Sequence, residues 1–135
     1  MIAALLLASV IVPSGQSFAF STTIVWDGDG PIWCAEGPRI RLHGIATREI
    51  DGSCRAGLPC PRPSGVAARD HLVVLLDGAR GATRDGHIRV KAQLRCRSFG
   101  SGKGKRTAAN CSAPGVGDLS QAMIGSGYAA RWDYR

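Results

Sequence analysis

No charged residue occurs in the first 26 positions of this chain of 135 residues, and all 17 Lys and Arg and all 10 Asp and Glu lie from Asp27 onward. The uncharged lead contains one apolar run, Ile2 to Val12. At about 11 residues it falls well short of the roughly 20 that a helix needs to cross a bilayer, which excludes a membrane anchor there. The chain also lacks the C-x-x-C and H-x-x-x-H spacings that would favour a zinc site, the G-x-S-x-G of a serine hydrolase and the H-E-x-x-H of a metalloprotease. Gly100 to Thr107 has the glycines and lysines of a phosphate loop without its spacing, because Phe99 stands where the first glycine belongs and Arg106 follows Lys105. No internal repeat and no linker divides the chain.

A short apolar run ending in Ser17-Phe18-Ala19, with small residues where a signal peptidase reads, predicts an export signal over residues 1–19. Met1 supplies the only positive charge ahead of it. Cleavage after Ala19 would leave one domain over residues 20–135, secreted or periplasmic. A mis-assigned start or a buried apolar strand is the alternative reading of the same stretch. The net charge of +7 favours an anionic partner such as nucleic acid, an anionic polysaccharide or a membrane surface, since polyanions release counterions when Lys and Arg neutralise them. No long uninterrupted basic run is present, so charge alone does not choose among them.

Five cysteines in an exported domain point to disulfides. Cys54 and Cys60 flank a turn-rich segment whose ends can meet. Cys96 and Cys111 close strand-like segments on either side of a Gly-rich loop, which predicts a bridge between neighbouring strands. A loop of about 15 residues makes that bridge worth on the order of 3 kcal/mol. Cys34 is left over.

Thr22 to Trp26 is β-branched and aromatic and stops at Asp27-Gly28-Asp29-Gly30, a strand running into a tight turn, with Pro31 to Cys34 as the returning strand. From Arg39 to Ile45 polar and apolar residues alternate, so Ile40 and Leu42 face one side while Arg39, Arg41 and His43 face the other. His87 to Cys96 alternates likewise, with a mostly cationic outer face. Ala46 to Pro63 reads as a long loop stapled by cystine. Ser64 caps a helix through Leu76, Phe99 to Lys105 is a loop, Arg106 to Cys111 a further strand, and a short helix begins near Asp118. Several strands with two helices predict a mainly β fold, a small barrel with helices against one end. His43, His71 and His87 read as surface residues.

Acidic residues at a strand end combined with arginines on a barrel face suit phosphodiester hydrolysis, where carboxylates hold a divalent cation and position water while cations stabilise the phosphate. Asp29, Glu49, Arg41 and Arg106 are the residues for those roles. Val25-Trp26-Asp27-Gly28-Asp29-Gly30, Arg39 to Glu49, Gly104 to Ala108, and Gly117-Asp118-Leu119 through Gly127-Tyr128-Ala129 occur in an order that resembles the thermonuclease (staphylococcal-nuclease-like) family over nearly the whole of residues 20–135. The resemblance implies an OB-fold, a five-stranded barrel with added helices, that cleaves DNA and RNA with Ca2+. It implies that Asp29 binds the metal with Asp27 in its outer shell, that Arg41 and Arg106 hold the phosphate, and that Glu49 acts on the attacking water. This chain departs from the pattern at Ala46, where the family has a metal-ligating aspartate, at Arg48, where it has proline, and at Gly30, Gly104 and Lys105. One lost carboxylate and one added cation predict weakened divalent binding, and Arg48 is expected to pair with Glu49 or Asp51. The alternative to a nuclease is a catalytically silent OB-fold module that binds nucleic acid or another polyanion through its basic face.

Overall fold

The computed structural model describes residues 10–132. Nine strands and two helices occur among them: β1 (Ser17–Val25), β2 (Ile32–Cys34), β3 (Arg39–Leu42), β4 (Ile45–Ala46), α1 (Gly65–Leu75), β5 (Ile88–Arg89), β6 (Gln93–Ser101), β7 (Thr107–Ala113), β8 (Gly117–Asp118), α2 (Leu119–Gly125) and β9 (Ala130–Arg131). Five strands run β2-β3-β7-β6-β1, and pairing of β1 with β2 closes the ring. All contacts in that ring are antiparallel except β3 with β7, which is parallel. This is a closed, mixed five-stranded barrel with two added helices, an OB-fold-like architecture. No helix among the described residues is long and apolar enough to cross a membrane.

The alternation in the sequence is what closes the barrel. Ile40 and Leu42 of β3, Leu94 and Cys96 of β6, and Ala109, Cys111 and Ala113 of β7 all enter the core, joined by Val25, Ile32, Leu72, Leu76, Leu119 and Met123. Their outward neighbours Arg95, Arg97 and Phe99 stay exposed. Two expected boundaries shift. The single strand from His87 divides into β5 and β6, because Val90 and Ala92 turn their amides to Thr23 and to the Thr22 hydroxyl. The loop expected from Phe99 begins later, since β6 continues through Ser101 across an irregularity in its pairing with β7.

Strand β1 starts ahead of the expected position. Ser17, Phe18 and Ala19 pair with Arg97, Cys96 and Arg95, so the proposed cleavage point after Ala19 falls inside this strand. Val12 is buried, its amide donates to the Thr107 hydroxyl and its carbonyl accepts from the Ser98 hydroxyl. Residues 1–9 of the proposed signal lie outside the described residues.

Both predicted disulfides are formed. Cys54–Cys60 staples the long loop with Cα atoms 5.5 Å apart, Cys96–Cys111 joins directly paired residues of β6 and β7 at 4.0 Å, and Cys34 is a buried free thiol. Burial, then the charge of Glu36, pushes that thiol up to about 12.

Helix α1 matters because it braces the segment that carries Glu49. Ser64 caps it, accepting from the Ala67 amide. At Gly65, the first helical residue, a β-carbon would overlap the Glu49 carbonyl, and at Gly28 it would lie 2.6 Å from the Ala68 β-carbon. The helix therefore lies directly on the backbone of both acidic segments. Gly65→Ala is expected to lose about 1–3 kcal/mol in urea unfolding through overpacking against a backbone that has no rotamer to yield. A loss below about 0.5 kcal/mol would show that the helix stands off from the Glu49 loop.

Candidate functional site

The tight turn after β1 holds the acidic residues. The Gly30 amide donates to the Asp27 carbonyl, and the Asp29 amide donates to Asp27 Oδ1 at 3.3 Å. Arg41, on the outward face of β3, reaches back across this turn, and its Nη2 donates to Asp29 Oδ2 at 3.2 Å. The side chains of this pair are 5% and 14% exposed, so the pairing is internal. Alternation placed Arg41 opposite the core side chains of β3, yet Asp29 of the turn and Trp132 lie against it. Its guanidinium carbon lies 5.6 Å from the centre of the Trp132 ring.

Asp27 is held protonated. Burial is the main cause, then the negative charge of Asp29 and a hydrogen bond between the two carboxyls, with Glu49 adding further repulsion, and together they push its pKa up to about 9. With Asp27 neutral and Asp29 matched by Arg41, the turn presents little net negative charge. Glu49 pairs loosely with Arg55 at 3.7 Å, both side chains more than a third exposed, an interaction worth little in water.

Arg48 does not pair with Glu49 or Asp51. Its Nε donates to the Pro61 carbonyl at 2.7 Å and its Nη1 to the Gly52 carbonyl at 2.8 Å, so it ties the stapled loop together. Asp51 instead accepts from the Ser53 amide and hydroxyl, which hold its carboxyl below the usual range. Ala46 is buried in β4 against Ala130.

Two concavities flank the turn. A cleft of about 510 Å3 brings together Asp27, Glu49 and Arg106 with Trp26, His87 and Arg69. A groove of about 610 Å3 contains Arg41, His43, Phe99, Arg55, Lys103 and Trp132. The two arginines expected to share a phosphate thus line different concavities.

These concavities bring forward aromatic residues that the sequence reading passed over. His43 stacks on Phe99 with ring centres 4.0 Å apart and planes 16° from parallel, and Phe99 is 45% exposed. His87 stacks on Trp26 at 4.0 Å, Trp26 on Trp33 at 5.8 Å, and the Arg39 guanidinium covers Trp33 at 4.3 Å. The outward position of His43 is legible in the alternation from Arg39 to Ile45, whereas Phe99 was expected in a loop and is carried outward by the continuation of β6. Their meeting requires β3 and β6 to be carried together by β7, which lies between them.

The donor set fits a calcium ion poorly. A hard divalent cation takes several anionic oxygens, whereas here the Asp29 carboxylate is held by Arg41 and the position expected to carry a further carboxylate is Ala46. Among the described residues, no group of three or more His, Cys, Asp and Glu side chains is arranged to hold a metal ion. What the arrangement offers is an open groove with cations on its walls and a stacked aromatic pair within it. No protein-family model, curated protein or solved structure matches the chain, and the reading of this site rests on its geometry.

Proposed function

We propose that this protein is an OB-fold-like module that binds single-stranded nucleic acid, or another polyanion, without cleaving it. The observation that carries the reading is the groove lined by exposed Phe99, stacked on His43, together with Arg55 of the stapled loop and Lys103 of the β6–β7 hairpin. Base-on-aromatic stacking with flanking cations is how sequence-tolerant single-strand sites work. The net charge of +7 supports the same reading. Export to an extracellular or periplasmic setting belongs to this proposal, supported by the uncharged apolar lead and the two disulfides.

Fluorescence anisotropy of a labelled oligothymidylate tests it. Neutralising about three phosphates gives a slope of about −2 in log affinity against log salt, or about a twentyfold loss between roughly 50 and 200 mM. Phe99→Ala should weaken binding by about tenfold, within the 1–3 kcal/mol that one stacked base contributes. Affinity indifferent to salt would sink the reading.

A metal-dependent nuclease related to the thermonuclease family is the second reading. It is favoured by the meeting of Asp27, Glu49 and Arg106 in one cleft, with Asp29 and Arg41 paired at the adjoining turn. Digestion of DNA or RNA with calcium, abolished by a chelator and by Glu49→Ala, would establish it. The binding reading expects intact substrate at high protein concentration.

A further inference from the structure

On the outer face of the β6–β7 ladder the residues run in a fixed register. Arg95 sits opposite Ser112 and Arg97 opposite Asn110, while Cys96 and Cys111 between them face the core. The next residue on the same side of β6 is exposed Phe99, where the regular pairing with β7 ends, and it lines the aromatic groove together with buried Ala108 of β7. A third concavity, of about 580 Å3, lies over Arg95, Arg97, Asn110 and Ser112, beside the aromatic groove. The two concavities therefore lie end to end along one face of one ladder.

Arg95 and Arg97 are both exposed, and neither has a carboxylate within salt-bridge distance among the described residues. Asp118 is the acidic residue that lines this concavity, and it is committed to capping α2 by accepting from the Gln121 amide at 2.8 Å. Residues two apart on a strand are about 6.6 Å apart, so the arginines stand side by side, two cations against the single carboxylate of Asp118 in this concavity. From Arg95 to Phe99 the strand covers about 13 Å, long enough for roughly four phosphates at the axial spacing of a stacked strand.

We infer that the Arg95–Arg97 face is a second contact surface continuous with the Phe99 groove, a cationic track for the backbone of a single-stranded polynucleotide whose bases stack in the groove. The inference rests on the proposed binding function and extends it to a surface outside the cleft and the groove. A compact anion fills one concavity, whereas an extended strand reaches both. Stacking at Phe99 favours a polynucleotide over a sulfated polysaccharide, which has no aromatic face to offer.

The test uses the full chain, oligothymidylates of about 2 nucleotides, too short to reach from Phe99 to Arg95, and of about 12 nucleotides, within the range that OB-folds occupy, and a heparin fragment of a length comparable to the longer probe. Arg95→Gln with Arg97→Gln is compared with Arg95→Lys with Arg97→Lys, all at exposed positions, with folding checked by circular dichroism. The glutamine pair should weaken the longer probe by about tenfold and reduce its salt slope by about 1.4, the contribution of two phosphates on a single strand. It should leave the shorter probe unchanged, and the lysine pair should retain the slope. An unchanged slope for the longer probe overturns the track, as does an equal loss for both lengths. Tighter binding of heparin than of the longer oligonucleotide overturns the choice of ligand. If the wild-type protein binds none of the probes, the proposed function itself fails, a result distinct from selective failure of the glutamine pair.

Discussion

Asp27→Asn is expected to stabilise the protein at neutral pH and to flatten the fall in its stability between about pH 4 and pH 7. The folded chain holds the Asp27 carboxyl protonated up to about 9, against an ordinary value of 3.8. Between those two values the folded state binds the proton and the unfolded state releases it, so the unfolded state gains as pH rises. The sign is therefore opposite to that of a salt-bridged aspartate: stability is greatest below the unfolded pKa and is lost on the way up to the folded one. Three pH units at about 1.4 kcal/mol each make the penalty at pH 7 about 4 kcal/mol, and at that pH the result does not depend on how far above 7 the folded value lies. Asparagine reproduces the neutral carboxyl, with an oxygen to accept from the Asp29 amide and an NH2 to donate to the Asp29 carboxylate. Urea titrations at pH 4, 5.5 and 7 would measure it. A variant no more stable than wild type at pH 7 would mean that Asp27 is charged in the fold.

Arg41→Ala is expected to cost about 3–5 kcal/mol, because it removes one partner of an internal ion pair and strands the other. Asp29 would be left beside Asp27 with the 3.2 Å guanidinium contact gone. Asp29→Asn in the Arg41→Ala background should recover part of the loss, and the four-member cycle isolates the coupling from the packing that Arg41 also supplies against Trp132. A cost below about 1 kcal/mol for Arg41→Ala, or no recovery from Asp29→Asn, would show that the pair is not what holds the turn. Either result would return Asp29 to the pool of carboxylates free to take a cation and strengthen the nuclease reading.

Local features of the chain were read with most success. Alternation placed Ile40, Leu42, Leu94 and Cys96 inside, Ser64 announced α1, and the spacing of the cysteines matched the two bridges. Each depends on residues near in sequence, and the period of a strand or the reach of a capping hydroxyl is set by backbone geometry. The errors fell where distant segments meet. Arg48 was expected to find Glu49 or Asp51, since opposite charges adjacent in sequence suggest a pair. The stapled loop instead brings the Pro61 and Gly52 carbonyls to it, and carbonyl acceptors leave no mark in a sequence.

The candidate site divides along the same line. Asp27, Asp29, Arg41, Glu49 and Arg106 were named as chemistry-bearing residues from motif order, and the fold brings all five around one turn and two concavities. Their ionisation and partners were outside the reach of the sequence, because an aspartate is charged or neutral according to the water it loses and the charges it meets. The stacking of Phe99 on His43 likewise needed β7 to bring β6 and β3 together.

By itself, then, the sequence determined a β-rich chain with two helices, two cystine bridges, a basic surface and an acidic turn flanked by arginines. Periodicity, capping and net charge are properties of neighbouring residues or of the whole composition, and they survive any rearrangement of the tertiary fold. Only the tertiary structure decided that Asp27 is neutral, that Asp29 is committed to Arg41 and that cations and rings converge on one open face. Those outcomes depend on which groups lie within a few ångströms after the barrel closes, where burial and proximity outweigh anything an isolated residue prefers.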